Sequence, residues 1–246
     1  MLRDQFTNHK PSEARHTQRL PRAICRRERN KLEKLARIKQ AARTLFAEKG
    51  FEATTTREIA EHADVGAGTL FLYFQTKEEI LVLLFREEMG HTIDAAFATL
   101  REQQPLLEQL LHVFNAVIAY HEQDVGLARI FVKELPFVEG QLRQEINAFL
   151  SDWYNRLAGL IERAQQRGEV RVEVPPRPLA RNCVALYLSQ LRQWLSGDLT
   201  REKLADRLHL TLELQLCGLR QGAIATQSAK ALTINKRRTY AVRRRM

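Results

Sequence analysis

Residues 63–79 read ADVGAGTLFLYFQTKEE, with two glycines at the head of a helical pattern and three aromatics close behind. Glycine costs a helix interior roughly 1 kcal/mol against alanine, so Gly66 and Gly68 need a reason to be there. Leu70 and Phe74 stand four apart and share one side of a short helix. Thr76 follows as the cap of another helix, whose first turn carries Glu78 and Glu79 at the positive end of the dipole. Upstream, TTTREIAEHA (54–63) opens with Thr55 and Glu58 at capping-box spacing and continues with Ile59, Ala60 and Ala63 as a narrow apolar face. Before it, ARIKQAARTLFAEKG (36–50) places Ile38, Ala41, Ala42, Leu45 and Phe46 on one face and stops at Gly50.

Two short helices joined by a tight turn and braced by a longer one make a helix-turn-helix, whose second helix enters the major groove N-terminus first. Gly66, Ala67 and Gly68 are small where the backbone approaches DNA, which accounts for the glycines. Leu70 and Phe74 face the core. Thr69, Phe71, Leu72 and Tyr73 remain on the sides that meet the sugar-phosphate backbone and thymine methyls.

The stretch FAEKGFEATTTREIAEHADVGAGTLFLYFQTKEEIL (46–81) resembles the N-terminal DNA-binding domain of the TetR family of transcriptional regulators. The Gly50-Phe51 turn, Thr55, Ile59-Ala60, Val65, Gly68-Thr69-Leu70, Phe74 and Lys77-Glu78-Glu79 carry the resemblance, which is dense over residues 37–85. It implies that Thr55, its neighbour Thr56 and Arg57 lie near phosphates. It further implies that Ala67, Gly68 and Thr69 face base edges or backbone, and that Tyr73 and Lys77 hold phosphates. Three residues depart from the family pattern: Gly66 for a capping Ser or Thr, Ala67 for Lys or Arg, and Phe71 for Tyr. Loss of a basic reader at Ala67 shifts recognition toward methyl contacts and DNA shape.

The charge of +10 sits at the ends. Residues 1–36 carry ten Lys/Arg against four Asp/Glu, and residues 229–246 carry seven basic residues and no acidic one. Residues 37–80 hold six basic and seven acidic residues, a net of −1, so affinity for DNA leans on the basic arm. Two roles are open for Arg22, Arg26, Arg27 and Arg29: anchoring on phosphates, or entry into an adjacent minor groove to read its width. The arm and the tail read as disordered when free.

From residue 81 onward amphipathic helical patterns repeat up to VEVPPRP (172–178), and two further helices lie near 179–196 and 200–218. These last two are apolar around much of their circumference and need partners on two sides; the resemblance implies a four-helix homodimer interface. Phe97, Phe114, Phe131, Phe137, Trp153 and Tyr187 are candidates to line a pocket for an unidentified small-molecule effector, with Arg129, Lys133 and His121 as candidates for meeting an anion. GxSxG, HExxH and Walker patterns are missing, as are spaced metal ligands; Cys25, Cys183 and Cys217 read as reduced thiols. An enzyme, a bound cofactor and a metal centre are not expected, and neither a secretion signal nor a membrane span is read, which points to the cytoplasm.

The expected architecture is all-α: an arm (1–34), a three-helix helix-turn-helix domain (35–82), a helical effector-binding and dimerisation bundle (83–222) and a basic tail (223–246). The expected function is a sequence-specific transcriptional regulator, a repressor released from a palindromic DNA operator when a small molecule binds the bundle. The alternative is a DNA-binding dimer without such an effector.

Overall fold

The computed structural model describes residues 26–219, and these are helical with no strand among them. In chain order the helices are α1 (Arg26–Lys49), α2 (Thr56–His62), α3 (Ala67–Phe71), α4 (Lys77–Ala98), α5 (Leu106–Gln123) and α6 (Val125–Glu134). A 3-10 turn (Leu135–Phe137) then leads into α7 (Gly140–Gln166), α8 (Pro176–Ser196) and α9 (Arg201–Cys217). No described helix is long and apolar enough to cross a membrane.

The caps were legible locally. Thr55 accepts from the Glu58 amide while the Glu58 carboxylate accepts from the Thr55 amide, a complete capping box. Thr76 caps α4 and Thr200 caps α9 by accepting from the Glu79 and Lys203 amides through the side-chain oxygen. Gly50, at φ +81°, turns the chain off α1 where a side chain would be strained. Buried Thr54 then locks that turn by donating its one hydroxyl hydrogen to the Gly50 carbonyl (2.7 Å), with the Leu45 carbonyl 3.3 Å from the same oxygen.

Helix α1 begins earlier than expected. Arg26 to Lys34, read as part of a disordered arm, are the first turns of α1. They contain neither Pro nor Gly and are mostly Arg, Lys, Glu and Leu, strong helix formers that need no apolar face to propagate a helix already nucleated. The rest of the arm, including Arg22, and the whole basic tail lie outside the described residues.

Two apolar cores meet along α4. One joins α1–α3 and the first half of α4 to Leu127 and Phe131 of α6, Leu135 and Val138 of the connection after it, and Ile146 of α7. The other is the bundle of α5, α7, α8 and α9 with the second half of α4. Phe85 packs against both. A boundary at residue 82 therefore falls inside a continuous helix shared by both cores.

A half-buried polar clasp ties the two parts together. Arg43 of α1 reaches Glu88 of α4 (2.7 Å) and Asp124 (3.3 Å), and Asp124 also caps α6 by accepting from the Leu127 amide. The Tyr120 hydroxyl donates to Glu88; burial first, and then that carboxylate, push its ionisation up, so it remains a neutral donor. Lys39 pairs with Glu87 at 2.5 Å alongside.

Candidate DNA-binding surface and effector core

Helix α3 is set by its buried residues. Leu70 and Phe74 are buried against Ile38, Phe46 and Ile59, which orients the remaining faces outward. The turn into α3 holds Asp64 at φ 50°, tolerable for Asp, and its carboxylate takes the Arg37 guanidinium at 3.0 Å. Gly66 is the N-cap of α3 and lends no side-chain bond, as its replacement of a hydroxyl residue implied. Ala67 and Gly68 are exposed and Thr69 is half-exposed. A Cβ placed on Gly68 would meet nothing within 4 Å, and one on Gly66 would meet only Thr69 Oγ1 at 3.9 Å. The fold itself does not require either glycine.

The outward residues form one surface. Leu72 is 84% exposed, Phe71 43% exposed, and Tyr73 is half-buried beside them. Thr55 and Arg57 are exposed at the start of α2, with Thr56 half-exposed; Arg57 pairs with Glu61 at 3.1 Å, an exposed contact that a phosphate can displace. Lys77 is engaged within the fold as well as lying at the first turn of α4. Its ammonium donates to the carbonyls of Phe51 (2.7 Å) and Glu52 (3.1 Å) and sits 4.5 Å from the centre of the Phe51 ring. It splints the α1–α2 turn to the first turn of α4. A mainly basic groove lies next to Tyr73, lined by Arg26, Arg27, Glu28, Asn30, Lys31 and Lys34 of α1; the charge pattern singles out Arg26 and Arg27 but not Lys31 and Lys34.

The six aromatic candidates separate. Phe114, Trp153 and Tyr187 come together in the bundle: Tyr187 stacks on Phe114 with centroids 5.0 Å apart, and Trp153 meets each ring edge-on at 6.1 Å. Phe97 is half-buried at the bundle edge under the Arg156 guanidinium, 4.1 Å away. Phe131 belongs to the other core, edge-on to Phe85 at 5.3 Å. Phe137 is 78% exposed, which corrects its assignment to an internal pocket: it follows Pro136 in the 3-10 turn, where helical spacing no longer sets direction. It borders a surface groove with Arg129 and Lys133. Arg129 donates to the Leu195 carbonyl (2.8 Å) and Lys133 pairs with Glu134. His121 is buried, and desolvation pulls its pKa down to about 4, so it is a neutral imidazole and not an anion-binding cation.

A cleft of about 440 Å³ opens between α4 and α7, lined by Arg86, Gly90, Asp94, Phe149, Trp153 and Arg156 among others. Its volume is within the range of small-molecule sites. Trp153 belongs both to this cleft and to the aromatic stack behind it. In the sequence Phe149 reads as one of many apolar residues on the helical stripe of α7, and spacing alone does not mark it as lining the cleft.

The model of the bacterial regulatory proteins of the tetR family matches residues 38–84, and that of the tetracyclin repressor-like C-terminal domain matches residues 103–214. The chain is 31% identical over 192 residues to the fatty acid metabolism regulator protein of Bacillus subtilis, covering 78% of this chain and 98% of that one. It is 28% identical to the transcriptional repressor KstR of Rhodococcus jostii, over 75% of this chain and 83% of that one. Among solved structures, FadR from Bacillus subtilis in complex with stearoyl-CoA superposes with a TM-score of 0.65 at 29% identity, covering 75% of this chain and 99% of that one. FadR from Thermus thermophilus in complex with lauroyl-CoA gives 0.63 at 25% identity, over 76% and 97%. Both the DNA-facing half and the bundle thus have their counterparts in one lineage, and the chain belongs to the TetR family of DNA-binding transcriptional regulators.

Proposed function

We propose that this protein is a repressor of genes of fatty-acid metabolism, released from a palindromic operator when a fatty acyl-CoA thioester enters the bundle. The observation that carries this reading is the similarity to the Bacillus subtilis fatty acid metabolism regulator protein, which runs through 98% of that chain and so includes the bundle. Two solved relatives hold stearoyl-CoA and lauroyl-CoA, and this bundle offers a matching chemistry: an aromatic interior behind a cleft flanked by Arg86 and Arg156. The acyl chain suits the Phe114–Trp153–Tyr187 interior, and the phosphates suit the cleft mouth. Both arginines are paired there, with Glu145 and Asp94, so phosphate binding exchanges one anion for another.

On DNA, Thr55, Thr56, Arg57, Thr69 and Tyr73 contact backbone phosphates and sugars, while Ala67, Gly68, Phe71 and Leu72 face the groove. The protein acts as a homodimer through α8 and α9. Leu204, Leu208, Leu212 and Leu216 bury one side of α9 within the chain, whereas Leu210 and Leu214, 54% and 67% exposed, stand on another with Leu188 of α8 also exposed. Two such faces bury each other, and the two-fold axis presents two α3 helices about one duplex turn apart, roughly 34–36 Å. The cytoplasm is where such a regulator meets both partners.

The test is selection of bound DNA from a random library, followed by titration of the complex with palmitoyl-CoA, free palmitate and free CoA. Release by the thioester alone supports the reading. An unaffected complex with all three favours a regulator without a fatty-acyl effector.

A further inference from the structure

The bundle interior is apolar in composition but not in its atoms. The Tyr187 hydroxyl, Trp153 Nε1, Gln190 Oε1 and His121 Nδ1 are all buried, and none finds a hydrogen-bond partner among the described residues. Buried polar atoms are normally paired with protein or ordered water, so a cluster of atoms without a protein partner marks a place that can accept a polar group. These four are not scattered. Tyr187 and Gln190 lie one turn apart on the buried side of α8, Trp153 of α7 meets the Tyr187 ring edge-on, and His121 is two turns along α5 from Phe114, on which Tyr187 stacks. Gln109 is a separate case, since its amide nitrogen already serves the carbonyls of the loop before α5. A plain hydrocarbon chain pairs with none of them, and burying it there leaves every one unsatisfied.

We propose that the effector of this protein is an acyl thioester whose chain carries a hydroxyl, and that Tyr187, Trp153 and Gln190 are the residues that select it. The proposal rests on the acyl-CoA reading above. Trp153 Nε1 is a donor only and suits a hydroxyl oxygen. Gln190 Oε1 is an acceptor and suits a hydroxyl hydrogen, while the Tyr187 hydroxyl serves either. The cleft between α4 and α7 ends on Trp153, whose ring meets that of Tyr187 edge-on, so the indole is the first of these groups that a chain entering there reaches. A site built around such groups rejects the analogue lacking the oxygen far more strongly than one missing methylene would be rejected.

The experiment is calorimetric titration of the full chain with hexadecanoyl-CoA and with its hydroxylated analogues, one at carbon 3 and one at the terminal carbon. It is done for the parent, Tyr187→Phe and Gln190→Leu. The expected result is at least tenfold tighter binding of one hydroxylated ester than of hexadecanoyl-CoA by the parent, with that ratio falling to about one in Tyr187→Phe. Unliganded Tyr187→Phe should melt no lower than the parent, because the hydroxyl it loses has no partner. Equal binding of all three esters by the parent overturns the proposal and leaves the acyl-CoA reading standing. A preference that survives in both variants, or a lower melting temperature of free Tyr187→Phe, also overturns it. Failure of every ester to bind overturns both.

Discussion

Replacing Gly68 by leucine separates the demands of the fold from those of DNA. A Cβ at Gly68 meets nothing within 4 Å, and the residue lies in the first turn of α3. Leucine has a helix propensity about 0.8 kcal/mol better than glycine, so Gly68→Leu should leave stability unchanged or raise it by up to that amount. For a domain of this size that is an increase in melting temperature of about 2–3 °C. The same side chain stands between α3 and the groove floor if small residues there permit close approach. Operator affinity should then fall at least tenfold, about 1.4 kcal/mol or more. Gly68→Ala should show the same stability gain with a smaller affinity loss. Thermal unfolding by circular dichroism and fluorescence anisotropy on operator DNA give the two readings. A Gly68→Leu protein that binds operator as tightly as the parent would refute the account of the glycines, and one that unfolds early would refute the open space.

Arg43→Met leaves Glu88 and Asp124 without their shared cation and should cost about 1–3 kcal/mol in urea unfolding; combined with Asp124→Asn the losses should be clearly non-additive. Leu214→Glu, on the exposed side of α9, should shift the protein to monomer by light scattering and reduce binding to a full operator to that of a half-site. Lys31→Ala with Lys34→Ala should weaken binding to all sequences and flatten the slope of log K against log salt by about 0.9 for each phosphate contact removed. His121 has its pKa pulled down to about 4 by burial, so the unfolded chain takes up its proton first as pH falls. Stability from this group is undiminished above pH 6.5 and declines by about 1.4 kcal/mol per pH unit below it, until the folded imidazole protonates near 4. His121→Gln should flatten that limb in urea unfolding between pH 6.5 and 4.

The DNA-binding half was legible because its signals are local. Thr55, Glu58 and Thr76 cap helices through bonds spanning three residues, and Leu70 and Phe74 define the buried side of α3 by spacing alone. The start of α1 was not, since a run such as RRERNKLEK looks alike as a solvated helix and as a free arm until the rest of α1 extends it. Lys77 shows a similar limit: its partners are backbone carbonyls 25 and 26 residues away, which no side-chain pattern announces. In the bundle, periodicity gave the buried faces of α5, α7 and α8 but not their pairing. Phe114, Trp153 and Tyr187 meet across three helices, while Phe131, equally periodic, packs in the other core with Phe85. Phe137 misled because Pro136 ends the helical geometry on which its assignment depended.

The central claim is that acyl-thioester binding in the bundle and operator binding at α3 oppose each other through one conformational equilibrium. Linkage requires the effect to be reciprocal. The direct measurement is the affinity of the protein for an acyl-CoA with and without saturating operator, set against its affinity for operator with and without saturating acyl-CoA. The account predicts the same factor of weakening in both directions. Equal acyl-CoA affinity in the presence and absence of operator would contradict it.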